Sequence, residues 1–81
     1  MDIHDLRKEG RDVDVTVWVG KKGIESVVEE LKDQLSSNKL VKVKFLRSSR
    51  ARKESEELAE ELADKTESKL VEVRGNTAVF H

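Results

Sequence analysis

The chain has no cysteine, no proline and no tyrosine, and only one tryptophan and two phenylalanines in 81 residues. Without cysteine there can be no disulfide framework, thiolate-ligated zinc, iron–sulfur cluster or thiol nucleophile. That absence also fits a reducing, cytoplasmic setting. No linker, internal repeat or low-complexity tract interrupts the sequence. Long hydrophobic runs are missing as well. Uncharged stretches last a few residues, far short of the roughly 20 a membrane-spanning helix needs, so no membrane partner is expected. The start, Met1-Asp2-Ile3-His4-Asp5, lacks the basic and apolar regions of a secretory signal.

Charge of one sign is also lacking. Lys and Arg total 16 against 17 Asp and Glu, for a formal net charge of −1. Nucleic-acid-binding domains usually carry a clear basic excess, so the total argues against such a partner. A total, however, says nothing about where the charges sit. A chain of this length is expected to form one domain over 1–81, with 1–12 a short helix or arm. It buries only about 60–65% of its unfolded surface, so the core must be compact and regular.

Two periodicities alternate along the rest. Val13, Val15, Val17 and Val19 occupy every second position, the pattern of a strand with one buried face. Gly20-Lys21-Lys22-Gly23 ends it. Ile24, Val27, Val28, Leu31 and Leu35 then follow the spacing of one helix face, which should stop at Ser36-Ser37-Asn38. Val41, Val43 and Phe45 alternate with Lys42 and Lys44 as a second strand. Ser48-Ser49 offers an N-cap for a second helix with the stripe Leu58, Ala59, Leu62 and Ala63. Val71 and Val73 mark a third strand, which Arg74-Gly75-Asn76-Thr77 turns into a fourth, Ala78-Val79-Phe80, with Gly75-Asn76 supplying positive φ. The order β-α-β-α-β-β, with right-handed crossovers, puts both main helices on one face. The expected fold is a two-layer α/β (α+β) sandwich with one open sheet face.

The GxxG segment Gly20-Lys21-Lys22-Gly23 lies between a strand and a helix. Glycines let the backbone approach a ligand closely, the helix start favours an anion, and two lysines add charge, which together make a phosphate clamp. A tight turn with two solvated lysines would give the same pattern. Neither a dinucleotide fingerprint nor a Walker loop is present.

The second signal is charge segregation. Lys39, Lys42, Lys44, Arg47, Arg50, Arg52 and Lys53 form a stretch with no acidic residue, followed by seven acidic residues and one Lys from Glu54 to Glu67. Such runs are often solvated faces. Lys42 and Lys44, however, point away from the apolar positions of their strand and hence to the open face. Arg50, Arg52 and Lys53 would sit at a helix start, where the dipole disfavours cations. Trp18, sharing the outward parity of Asp14 and Thr16, could stack on a base or pack under the N-terminal segment over Leu6. Asn76 and Thr77 could donate to a phosphate or base, though turn chemistry also accounts for them. His4 and His81 lie at the two ends, no serine has an activating base beside it, and Glu56, Glu57, Glu60 and Glu61 read as a solvated helix face. No enzyme, metal or cofactor is expected.

Val17-Trp18-Val19-Gly20-Lys21-Lys22-Gly23, the helix after it, and Leu40-Val41-Lys42-Val43-Lys44 resemble the CRM domain, the YhbY-like RNA-binding family. Ala59-Glu60-Glu61-Leu62-Ala63 and Leu70-Val71-Glu72-Val73-Arg74-Gly75-Asn76-Thr77 resemble its second helix and final hairpin, so the likeness covers about 13 to 80. The Trp before Val-Gly-Lys-Lys-Gly looks most like the archaeal stand-alone members. The resemblance implies a mixed sheet in strand order 1-2-4-3, RNA binding, and a role on ribosomal RNA in large-subunit assembly. It maps the family's RNA-contacting loop onto Gly20, Lys21, Lys22 and Gly23. Lys42, Lys44, Arg47, Arg50, Arg52 and Arg74 would extend the basic surface of a monomer, with Trp18, Asn76 and Thr77 as further contacts. Two departures stand out. The stretch from Asp2 to Asp12 is short and mixed in charge where relatives carry a basic helix, and Glu25 stands where the family often has Thr. The other class of function open to the sequence is a protein-interaction module docking on ribosomal or translation proteins.

Overall fold

Val17 and Val19 bury fully while Trp18 between them stays exposed, and this alternation builds β1 (Val15–Val19). The computed structural model describes residues 3–50 and 53–81, and the side chain of Arg50 lies outside the description. The elements in chain order are α1 (Ile3–Gly10), β1, α2 (Val28–Ser37), β2 (Val41–Phe45), α3 (Ser55–Thr66), β3 (Leu70–Arg74) and β4 (Thr77–Phe80). Short 3₁₀ turns over Ile24–Val27 and Arg47–Arg50 come after β1 and β2. The four strands form one mixed sheet in the order β1-β2-β4-β3, as expected. The β1–β2 pair is parallel, and β4 runs antiparallel to both β2 and β3.

One face of the sheet carries the main core. Val17, Val19, Val41, Val43, Phe45, Ala78 and Phe80 meet Leu31 of α2 and Leu58, Ala59 and Leu62 of α3. Each fully buried side chain of this size contributes about 1.5–3 kcal/mol, so this cluster dominates the stability of a small domain.

The other face is only partly open. The helix α1 packs on it through Leu6, in a second cluster with Leu40, Val71 and Val79. Ile3, Leu6 and Gly10 recur at helical spacing, and Leu6 and Gly10 are buried, so this stripe faces the sheet. Val13 joins that cluster and lies before β1 instead of sharing its buried face. A bulge helps bring one residue to this side. In β3 the register steps from Leu70↔Phe80 to Glu72↔Val79, leaving Val71 as the extra residue that meets α1.

Two helix starts differ from the sequence expectation. The periodic stretch beginning at Ile24 opens as a 3₁₀ turn before becoming α2 at Val28. Ser48-Ser49 does not cap the second main helix but sits inside the Arg47–Arg50 turn, and α3 starts at Ser55 behind Glu54. Glu56 and Glu57 in its first turn suit the helix dipole, and Arg47–Arg50 forms a separate turn ahead of the helix, leaving Lys53 as the described cation just before its N-cap. The stop at Asn38 holds, where the backbone N–H and side-chain amide both donate to the Gln34 carbonyl at 2.8 and 2.9 Å.

The end of α3 is a Schellman motif. Glu67 adopts φ 53°, ψ 39°, the N–H of Ser68 donates to the Ala63 carbonyl at 2.9 Å, and that of Glu67 to the Asp64 carbonyl at 3.2 Å. A non-glycine residue in this conformation is strained, and a carboxylate at a helix C-terminus opposes the dipole. Glu67→Gly is expected to raise the unfolding free energy by about 0.5–1 kcal/mol. Urea melts of the two proteins measure this directly, and an unchanged midpoint would show that the cap holds no strain.

Candidate nucleic-acid interface

The GxxG segment is a closed turn at the C-terminal end of β1. The N–H of Gly23 donates to the Gly20 carbonyl at 2.9 Å, which puts Lys21 and Lys22 at an exposed tip. The Gly23 carbonyl in turn accepts from the Ser26 hydroxyl at 2.8 Å and the Ser26 N–H at 3.3 Å. The two glycines play different parts. Gly23 has φ 80°, ψ −176°, a region essentially closed to other residues, whereas Gly20 is not at positive φ. The loop leads into a 3₁₀ turn of four residues. The expected contribution of a long helix dipole at the loop is correspondingly reduced, and the charge there comes from the lysines.

A second turn abuts this one. The Leu46 N–H donates to the Val19 carbonyl at 2.8 Å, continuing the β1–β2 ladder to the foot of the Arg47–Arg50 turn. A methyl group built on Gly20 would lie 3.7 Å from Leu46 Cδ1 and 3.8 Å from Ser48 Oγ. The GxxG turn and the Arg47 turn are therefore neighbours, at the C-terminal ends of two parallel strands. Arg47 is exposed. Arg50 is part of the turn's backbone, and Arg52 falls outside the described residues.

Across the sheet, one row of residues crosses all four strands. Trp18 pairs with Lys44, Lys44 with Thr77, and Thr77 with Arg74. Their chain neighbours Val17, Val19, Val43, Phe45, Ala78 and Val73 belong to or pack on the main core, so this row faces the other way. Lys42 lies in the next row, beside Val79. With Arg74 and Thr77 it lines a small crevice closed by Gly10, Arg11 and Glu72. No periodicity or motif in the sequence singles out Arg11. It arrives at this face because α1 docks there, and it shares Glu72 at 3.9 Å.

Trp18 does not pack under the N-terminal segment. It is 54% exposed and stands clear of Leu6, which is enclosed by Leu40, Val71 and Val79. Nor does Thr16 share its outward direction, because β1 bulges there and the Thr16 hydroxyl donates to the Gln34 Oε1 of α2. Thr77 is on the row, but its hydroxyl already donates to the Arg74 carbonyl at 2.9 Å. Asn76 is apart from the row, in a groove with Glu54, Ser55 and Glu56, while its carbonyl accepts the Phe45 N–H at 2.7 Å. Only Gly75 of the hairpin pair takes positive φ.

Ion pairing divides the cations into two groups. On the helix side, Lys65 meets Glu25 at 2.6 Å and Lys53 meets Glu61; Lys39 meets Glu9 at 2.8 Å. The hydrogen bond to Glu25 and the charge of that carboxylate hold the Lys65 ammonium above the usual lysine value. The same contact engages the one carboxylate close in sequence to the loop. Among the described residues, Lys21, Lys22, Lys42, Lys44, Arg47 and Arg74 make no ion pair. Six free cations thus gather on the sheet face and the two turns, although Lys8, Lys32 and Lys69 are unpaired elsewhere and the paired Arg11 shares the sheet face.

An open sheet face with unpaired cations beside a lysine-tipped GxxG turn is the arrangement of a small nucleic-acid-binding α/β domain. The chain matches the CRS1 / YhbY (CRM) domain over 2–81 and belongs to that family. It is 35% identical over 71 residues to a Methanocaldococcus jannaschii protein named as a probable RNA-binding protein, a match covering 88% of this chain and 53% of the relative. The chain therefore spans about half the length of that relative. Its fold superposes on the solution structure of a hypothetical Staphylococcus aureus protein, a candidate RNA binder, with a TM-score of 0.79 and 34% identity, covering 98% of this chain and 81% of the other.

The two glycines separate experimentally. Gly23→Ala is expected to lower the unfolding free energy by about 1–3 kcal/mol, because alanine cannot adopt its backbone conformation cheaply. Gly20→Ala adds a methyl at ordinary contact distance, and should stay within about 0.5 kcal/mol. Denaturant titration of both variants checks the ranking, and equal losses would refute it.

Proposed function

We propose that this chain is a cytoplasmic RNA-binding protein without catalytic activity, a single monomeric domain that binds ribosomal RNA and assists assembly of the large ribosomal subunit. One observation carries the reading: among the described residues, Lys21, Lys22, Lys42, Lys44, Arg47 and Arg74, around the GxxG turn and on the second sheet face, have no carboxylate partner. Family membership and the similarity to proteins described as RNA-binding support the choice of RNA. The similarity to the M. jannaschii protein also supports the archaeal type within the family.

In this reading Lys21 and Lys22 hold phosphates, with the backbone of Gly20 and Gly23 letting the strand come close. Lys42, Lys44, Arg47 and Arg74 extend the contact, joined by Arg50 and Arg52 from the same basic stretch. These are positioning contacts to the RNA backbone and carry no base specificity. Each phosphate neutralised releases condensed counterions, so affinity falls with salt in proportion to the number of contacts.

Replacing Lys21 and Lys22 together by Ala is expected to weaken RNA binding and to flatten the log–log salt dependence by roughly one to two units. Both side chains are exposed, so the fold is left intact. An affinity and slope equal to those of the parent protein would remove the loop from the interface. The identity of the RNA is tested by crosslinking in cells and sequencing the attached fragments. Enrichment of large-subunit ribosomal RNA is expected, and recovery of messenger or transfer RNA alone would overturn the assignment.

A further inference from the structure

Trp18 and Leu46 are the large apolar side chains left exposed among the described residues, at 54% and 38%. They lie along the adjoining strands β1 and β2, Leu46 just past the end of β2. Trp18 pairs with Lys44 across the β1–β2 ladder, and Leu46, two residues beyond Lys44, lies against Gly20 at the foot of the GxxG turn. Exposing an indole on a strand costs the protein buried area, and in a domain this small that area is scarce. Cations share this part of the surface: Lys44 pairs with Trp18, Lys21 and Lys22 tip the turn that follows β1, Arg47 follows Leu46 in the chain, and Arg74 stands at the far end of the same row.

We propose that Trp18, with Leu46 as a ledge, is a stacking platform for an unpaired nucleobase, so that the RNA site takes a single-stranded segment and not a duplex. This inference rests on the RNA-binding reading and deepens it. A flat aromatic face with positive charge on several sides matches a base flanked by its own phosphates. The row from Trp18 to Arg74 crosses three interstrand gaps, about 14 Å, long enough for the chain to run on over Lys44 and Thr77. An A-form duplex keeps its bases stacked inside and offers phosphates and 2′-hydroxyls, so it would meet the lysines while gaining nothing from the indole. Stacking on an aromatic ring is sequence-tolerant, which suits an interface whose other contacts are to the backbone.

The chain supplies its own probe, since Trp18 is its only tryptophan and there is no tyrosine. The experiment titrates the full chain with a single-stranded 12-nucleotide RNA and with a hairpin duplex of equal charge. Intrinsic fluorescence and the anisotropy of a dye on the RNA are read in parallel. The single strand is expected to quench Trp18. Trp18→Ala should weaken single-strand binding by roughly tenfold and duplex binding much less, and Trp18→Phe should recover most of the loss. Because Trp18 is exposed, circular dichroism of the variants should match the parent. Binding seen by anisotropy with no quenching, or an equal loss for strand and duplex in Trp18→Ala, would overturn the platform while leaving RNA binding standing. Anisotropy showing neither RNA bound would overturn both.

Discussion

The central strand β2 imposes the constraint on which the rest of the molecule depends. Val41, Val43 and Phe45 are fully buried between the sheet and the helices α2 and α3. With side chains alternating every residue, Lys42 and Lys44 have no choice but the opposite face. The same strand holds β1 on one side and β4 on the other, so its register aligns Trp18, Lys44, Thr77 and Arg74 into a row. A slip of one residue would put lysines in the core and valines on the surface, so packing strongly enforces the register. Core and candidate interface are thus two sides of one alternation.

That arrangement explains how a chain of nearly balanced charge presents a basic surface. The helices α2 and α3 carry eight of the 17 acidic residues, and Glu25, in the turn before α2, and Glu61, on α3, occupy Lys65 and Lys53. The sheet face keeps its cations, with Glu72 the carboxylate among them and Arg11 beside it. The protein therefore carries an uneven field with almost no net charge. Such a field draws polyanions weakly at long range while leaving a local concentration of unpaired cations.

Much of this was legible along the chain. The alternations in Val15 to Val19 and in Val41 to Phe45, and the apolar stripe in Leu58 to Ala63, identified strands and helix because each pattern has its own period. The GxxG turn was visible from glycine spacing. What escaped was anything set by contacts between distant residues. The direction of Thr16 changed because β1 bulges and Gln34 of α2 receives its hydroxyl. Ser48 and Ser49 had the chemistry of a helix cap but lie in a separate 3₁₀ turn, five or more residues ahead of α3. Of the two loop glycines, the backbone angles alone distinguish Gly23, which needs its freedom, from Gly20, which is not at positive φ and whose place a methyl would fill at ordinary contact distance.

By itself the sequence determined the elements, their order, the two-sided character of β2 and the loop that carries Lys21 and Lys22. All of these follow from local periodicity and backbone chemistry, which operate over a few residues. Only the tertiary structure decided which cations are free, that α1 covers part of the second face, and that Trp18 and Leu46 stay exposed. Those outcomes depend on where Glu25 finds Lys65, where Leu6 finds Leu40, Val71 and Val79, and how four strands line up. Such meetings are separated by many residues along the chain, and burial and register, acting over the whole fold, select them.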